Sequence, residues 1–412
     1  MHEAIKRILL RESLNQPLMV IFEDLHWIDG ETQDLLNLLV DSLATARILL
    51  LVNYRPEYHH QWGSRTHYTQ LRLDPLGKES AGEMLDALLT SPAPATLSAG
   101  ASRERSVGDI HVGDQVSVQD ELAPLKRLII ERTQGNPFFI EEIVLALFDD
   151  GALVRNGKVK LTRPAAELKI PPTVQATLAA RIDRLPNAGK DLLQILAVIG
   201  PEIALEAIKH VTGKSEEQLE ALLSNLQSSE FIYEQPTVAG AEYVFKHALT
   251  QEVSYNSLLA ERRRMIHAQA GQAIEAVYLG QLEDHYSELA RHHLRGNDAA
   301  KAAHYAQLAA EQALGHGAYT EAANLIDTAL KVLDRLPETD DRLRSELALR
   351  TIESTVTFVV YGANSSERER AVMRMRELGE RLGGGQYLLR GLIPLSNMYY
   401  LSAISPTIAE RD

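Results

Sequence analysis

Cysteine is absent from the 412 residues, which excludes disulfides and thiolate metal sites and agrees with a reducing compartment. Long apolar runs are lacking as well. The longest clean one, Ile48 to Val52, is far short of the roughly 20 residues that a membrane helix needs. The opening MHEAIKRILLRESL mixes charge with apolar residues and reads as an amphipathic helix, not a signal peptide. Basic excess is missing too: 42 Lys and Arg stand against 56 Asp and Glu, for a net charge of −14. Nucleic acid is therefore a poor candidate for a direct partner, because non-specific affinity needs a concentrated Lys/Arg surface. The cluster Arg262-Arg263-Arg264 fans out around a helix and reads as a solvated face. These absences lead us to expect a soluble cytoplasmic protein that engages neither membrane nor nucleic acid.

What is present is an ordinary globular mix, 45% hydrophobic and 24% charged, in a chain long enough for two or three domains. Leu18 to Phe22 is a short apolar run closed by Glu23-Asp24, the pattern of a strand buried on both faces. Asp29 is a candidate helix N-cap, followed by Leu35, Leu36, Leu39 and Leu43 at helical spacing and then by a second apolar run, Ile48 to Asn53. Strand, helix and strand at this spacing make a βαβ unit with parallel strands. A third run, Leu71-Arg72-Leu73, leads into a helix from about Glu79 to Leu89.

Between Ser91 and about Gln119 the pattern dissolves into Ser, Ala, Gly and Pro, which reads as a mobile loop or insertion. Helical periodicity returns at Leu122 and ends at Gly135, and Asn136-Pro137 opens another helix. From 171 to 260 come three helices, opened by Thr173, a Leu192–Ile199 pattern and the capping box at Ser215–Gln218. Two short apolar runs around a Pro236–Gly240 loop read as a β-hairpin, and together these make a winged-helix-like module. Beyond about Glu261 the pattern is helical. Ala302, Ala306, Ala309, Ala313, Ala322 and Ala329 recur at close-packing positions, and Gly315–Leu330 fits the second helix of a tetratricopeptide (TPR) repeat.

The run VIFEDLHWID (Val20–Asp29) resembles the Walker B strand of the AAA-related STAND ATPases, in the branch fused to bacterial adenylate/guanylate cyclase domains. Four further matches follow in order: NYRPE (Asn53–Glu57), ERTQGNPFFIEEIV (Glu131–Val144), IPPTVQATLAARIDRLP (Ile170–Pro186) and FKHALTQEVSYNSLL (Phe245–Leu259). The resemblance implies an α/β plus all-α fold: a partial P-loop NTPase sheet with helical lid, a winged-helix-like domain, then an α-solenoid. Its boundaries fall at 1–90 for the ATPase core, 91–120 for the loop, 121–170 for the lid, 171–260 for the winged helix and 261–412 for TPR-like repeats cut short at their end.

It also implies roles. Glu23 holds Mg²⁺ on the nucleotide phosphates and Asp24 activates the attacking water, with the reverse assignment open because the family's usual order is Asp then Glu. Arg55 is the sensor arginine that pairs with the γ-phosphate. Gly135 and Pro137 form the lid motif near adenine, and His247 faces the ADP β-phosphate. Each has a plainer reading: two solvated acids ending a strand, a surface arginine, a helix C-cap glycine before an N1 proline, and a satisfied histidine. His26 and Trp27 read as packing residues.

One part is not found. A P-loop needs GxxxxGK[ST] between a strand and a helix, so that backbone N–H groups wrap the phosphates. Gly213-Lys214-Ser215 is the only GKS, but position 208 is Ile, and Ser215 serves as a helix cap. Gly77-Lys78-Glu79 and Gly189-Lys190-Asp191 lack the Ser or Thr. Only 17 residues precede Leu18, so the reading is a fragment whose P-loop lies upstream, with an exposed apolar strand edge and weak or absent ATP binding. The complete family protein uses ATP/ADP and Mg²⁺ as a switch, passes output to a cyclase or other effector domain, and binds a protein partner through its repeats. Two alternatives remain open: a fragment of an ATPase-containing transcriptional regulator, and a non-catalytic TPR-like scaffold.

Overall fold

A computed structural model describes residues 2–90, 122–237 and 240–383 together with 385, apart from 157 and 364. The loop expected at 91–120 and the end of the chain from 386 lie outside the described residues. Helices dominate, with three small sheets, and the chain divides into two units: Met1–Arg72 with Ile274–Asp412, and Leu73–Ala273. No helix among the described residues is long and apolar enough to cross a membrane.

The first unit opens with helix α1 (His2–Asn15), strand β1 (Leu18–Phe22), helix α2 (Gly30–Val40) and strand β2 (Ile48–Val52). Asp29 caps α2 by accepting the Thr32 backbone N–H at 2.8 Å. The α2 crossover brings β2 back parallel to β1, in register from Leu18 opposite Ile48 to Phe22 opposite Val52. Phe22, Leu50 and Val52 close onto Leu25, Leu36, Val40 and Trp62. The opposite face differs from the sequence reading, which had both faces buried: Met19 is 63% exposed, Ile21 54%, Leu49 58% and Leu51 49%. An unbroken apolar run suits a strand covered on both sides, and here one helical layer covers only one. The run Leu71-Arg72-Leu73 forms no strand, and both of its leucines are exposed.

The second unit begins with α3 (Lys78–Thr90), α4 (Ala123–Thr133) and α5 (Pro137–Asp149), packed around Leu85, Leu125, Ile129, Ile140 and Ile143. A hairpin of β3 (Leu153–Asn156) and β4 (Lys158–Leu161) leads to α6 (Val174–Arg184) and α7 (Asn187–Ile199). Next come β5 (Glu202–Ala204), α8 (Leu205–Thr212), α9 (Glu216–Ser228), β6 (Ile232–Thr237) and β7 (Gly240–Phe245). The three strands form one antiparallel sheet in the order β5-β7-β6. Thr173 caps α6, and both bonds of the capping box join Ser215 and Gln218 at the start of α9. Leu192, Leu193, Leu196, Leu219, Leu223 and Phe231 fill the core beneath the sheet. Then follow α10 (Ala248–Asn256) and α11 (Ala260–Val277), whose last turn passes into the first unit.

The rest of that unit is an array of antiparallel helices, α12 (Tyr286–Arg295), α13 (Ala299–Gly315), α14 (Tyr319–Leu333), α15 (Asp340–Tyr361) and α16 (Ser366–Arg381), in a repeat-like arrangement with each helix packed on the next. All six alanines singled out in the sequence are buried, and their missing side-chain bulk lets α13 and α14 approach closely. Glu31 Oε1 on α2 accepts the Thr320 backbone N–H at 3.2 Å, in the first turn of α14.

Candidate functional site

The C-terminal edge of the parallel pair is shaped by Asn53. Its backbone N–H donates to Phe22 O at 3.1 Å, its carbonyl accepts the Leu25 N–H at 3.0 Å, and its side-chain Oδ1 accepts the Asp24 N–H at 2.7 Å. These three bonds hold Asp24 in a left-handed conformation, φ 55° and ψ 45°, which aspartate tolerates better than most residues. The chain then drops Leu25, 1% exposed, into the core and turns through a short 3-10 helix, Leu25–Trp27. Glu23 and Asp24 are left exposed on the rim, and neither carboxylate has a hydrogen-bond or ion-pair partner among the described residues.

Arg55 leaves the same edge three residues beyond β2 and is exposed. It forms no ion pair with the acids. Its guanidinium Cζ lies 5.4 Å from the centroid of Trp27, whose side chain is 68% exposed. The packing role read for Trp27 is thus corrected: its indole stays outside the core as a platform for a cation. His26 sits half-buried beside it at 4.6 Å between ring centroids, both ring nitrogens buried without a partner.

An aromatic cluster supports this rim. The Trp62 backbone N–H donates to His60 Nδ1 at 3.1 Å, so the ring's proton belongs on Nε2, which donates to Tyr54 Oη at 2.9 Å. Tyr54 and Tyr68 share a hydroxyl bond of 2.8 Å, and the Trp62 indole donates to Asn37 Oδ1. Burial lowers the His60 pKa, in keeping with a neutral ring, and pushes the Tyr68 hydroxyl up to about 12.

The remaining candidate residues, Gly135, Pro137 and His247, lie in the second unit. Gly135 has φ 77°, and its carbonyl accepts the Leu76 N–H at 2.8 Å; a Cβ there would come within 2.0 Å of Leu76 O. Asn136 then caps α5, accepting the Phe139 N–H at 2.9 Å, and Pro137 is the first helical residue. The structure brings this motif to His247: the Phe138 and His247 rings are 4.2 Å apart, and His247 Nε2 is buried without a partner. Burial, aided by Lys246, lowers the His247 pKa.

Residues that the sequence reading did not single out fasten α5 to the elements that follow it. Arg181 on α6 is 2% exposed; it donates to Glu142 at 2.7 Å, Asp149 at 2.8 Å and Ser229 O at 2.7 Å, and lies 4.7 Å above the Phe231 ring. Lys246 adds ion pairs with Glu141 and Glu230.

Mg²⁺ takes one or two carboxylates and fills its octahedron with water and phosphate oxygens, so Glu23 and Asp24 fit it as far as they go. Among the described residues no group of three or more His, Asp or Glu side chains is disposed to hold a metal by itself. None of Gly77-Lys78, Gly189-Lys190 and Gly213-Lys214 forms a phosphate loop: Gly213 is the left-handed cap of α8, Lys78 begins α3, and Gly189-Lys190 lies within α7.

No family model matches the chain. An uncharacterized protein of Rhizobium meliloti (strain 1021) is 23% identical over 386 residues, which cover 92% of this chain and 34% of that protein. The chain thus spans about a third of the length of this curated relative. A solved structure, a Signal Transduction ATPase with Numerous Domains (STAND) protein with a tetratricopeptide repeat sensor from Pyrococcus horikoshii, aligns with 97% of this chain and 55% of its own. Its TM-score is 0.42 and its identity 12%. Neither likeness assigns the chain to a family.

Proposed function

We propose that this chain is the nucleotide-switch and repeat portion of an ATP-dependent signal-transduction regulator of the STAND/AAA type. The observation that carries this reading is the edge of the parallel pair, where two unpaired carboxylates, Glu23 and Asp24, and the unpaired donors of Arg55 are exposed together. Ligands of open α/β sheets bind outside the carboxyl ends of the strands, and the arrangement supplies both a cation-binding and an anion-binding half. Bound Mg²⁺ would neutralise phosphate oxygens; Glu23 would hold it, Asp24 would orient water, and Arg55 would donate to the terminal phosphate. By the resemblance, Gly135, Pro137 and His247 are assigned nucleotide contacts on the lid side.

The order helix, strand, helix, helix, strand, strand from α7 to β7 supports a winged helix after the lid. The array α12–α16 supports a TPR-like surface for a protein partner, with a nucleotide cyclase or another effector domain receiving the output. Because the 412 residues contain no GxxxxGK[ST], the chain alone is expected to bind ATP weakly and to be a poor hydrolase. The same observation favours a second reading, a non-catalytic scaffold built on the helical array.

Titration of the purified chain with a fluorescent ATP analogue separates the two readings. The switch reading expects weak, Mg²⁺-dependent binding that Arg55→Ala removes. Binding that is indifferent to Mg²⁺ and to Arg55 would sink it.

A further inference from the structure

Arg55 is a permanent cation beside two carboxylates, and it rests on neither of them. Among the described residues its guanidinium rests on the face of Trp27, on the short turn that follows the acids. We propose that Trp27 is a positioning residue for phosphate recognition: it holds the Arg55 guanidinium by a cation–π contact that leaves all five N–H donors free for a phosphoryl oxygen. The inference rests on the nucleotide reading of this edge and adds to it a residue that sequence reasoning treated as packing.

Three observations support it. First, a guanidinium paired with Glu23 or Asp24 would have its donors occupied and would compete with a cation for the same oxygens, whereas an aromatic face attracts the charge and satisfies no donor. Second, an indole with 68% of its surface in water contributes little burial and lies outside the apolar cluster of Leu25, Leu36, Val40 and Trp62, so folding alone gives it little reason to be large and aromatic. Third, the turn that carries it is fixed on both sides. Leu25 is anchored in the core, and the Trp27 and Ile28 backbone N–H groups donate to Asp24 O at 2.9 Å and Leu25 O at 3.1 Å. The left-handed Asp24, stitched to Asn53, sets where this turn begins relative to Asn53, the residue just past β2 and two before Arg55. The platform and the arginine are thus held by the same strand-end bonds.

The test uses the intact chain, with pyrophosphate as the probe, Mg²⁺ in excess and ionic strength constant. The chain has two tryptophans, so the emission of Trp27 is the difference between the wild type and Trp27→Phe, and the remaining Trp62 emission reports whether each variant is folded. Binding itself is followed calorimetrically in every variant. The expected result is a saturable change in Trp27 emission that Arg55→Lys abolishes, since an ammonium lacks the planar fork. Trp27→Leu, which keeps apolar bulk and loses the ring, should weaken pyrophosphate about two- to fivefold, the scale of an exposed cation–π contact, and Trp27→Phe should recover part of that loss. Unchanged affinity in Trp27→Leu, or no saturable response in the wild type, overturns the proposal. The two readings fail separately. Arg55-dependent ATP binding that ignores Trp27→Leu ends only the positioning role, and a Trp27- and Arg55-dependent pyrophosphate response without any ATP binding ends only the nucleotide reading.

Discussion

Replacing Arg181 by Met should be among the most damaging single changes in the second unit, and the structure sets the scale. Glu142, 1% exposed, would lose the cation that compensates it, and Asp149 and the Ser229 carbonyl would each lose a donor. Burial already pushes the Glu142 carboxyl above its usual range against the pull of Arg181. Breaking a buried pair by removing one partner costs about 3–5 kcal/mol, because the surviving charge stays desolvated. Exchanging both partners for apolar residues is nearly neutral by comparison, so Arg181→Met with Glu142→Leu should recover most of the loss. Neither tryptophan lies in Leu73–Ala273, so tryptophan emission does not report this region. Hydrogen exchange read by mass spectrometry does. Peptides from α5, α6 and α9 should exchange roughly two to three and a half orders of magnitude faster in the single variant, and within about one order in the double. A single variant within tenfold of wild type, or a double variant as fast as the single, would refute this reasoning.

Four further outcomes are expected. Gly135→Ala places a Cβ against Leu76 O at a positive φ, and should cost at least about 2 kcal/mol, seen as accelerated exchange in the α4–α5 turn. Asp24→Gly, at φ 55°, should keep or slightly raise stability, by up to about 1 kcal/mol in urea melts followed by tryptophan emission, whereas Asn53→Ala should lower it. Because the His60 pKa is lowered on folding, its contribution is complete above the unfolded value near 6.5 and is lost as pH falls through the folded value. The urea midpoint of Trp62 should therefore drop between about pH 6.5 and 5, and His60→Gln should flatten that slope. Met19→Lys with Leu49→Glu, directly opposite each other on the open sheet face, should reduce aggregation in light scattering without lowering that midpoint.

Local chemistry made much of the fold legible. Asp29, Thr173 and Ser215 announced their helices through caps, the α2 crossover required a parallel pair, and the small residues of α13 and α14 marked close packing. The β3–β4 hairpin went unread although Asn156-Gly157 between alternating residues was its signal. The three-residue β5 is too short to leave one. Covering of β1 and β2 on one face only could not be seen, because an apolar run states preference for burial and not how many layers supply it. At the site, the acids and Arg55 were legible from their places at strand ends. The exposure of Trp27 was not, since an indole in sequence reads as core. Arg181 and Glu142 were missed because charged helix residues normally face water, and their partnership spans 39 positions.

The central claim is that the carboxyl edge of β1 and β2 is a metal–nucleotide site. Electron paramagnetic resonance of Mn²⁺ added with ATP tests it directly, because free and protein-bound Mn²⁺ give distinct signals. A protein-bound signal, distinct from that of the Mn²⁺–ATP complex alone, is expected only with nucleotide present and should vanish when Glu23→Gln and Asp24→Asn are combined. A bound signal of undiminished strength in the combined variant would contradict it.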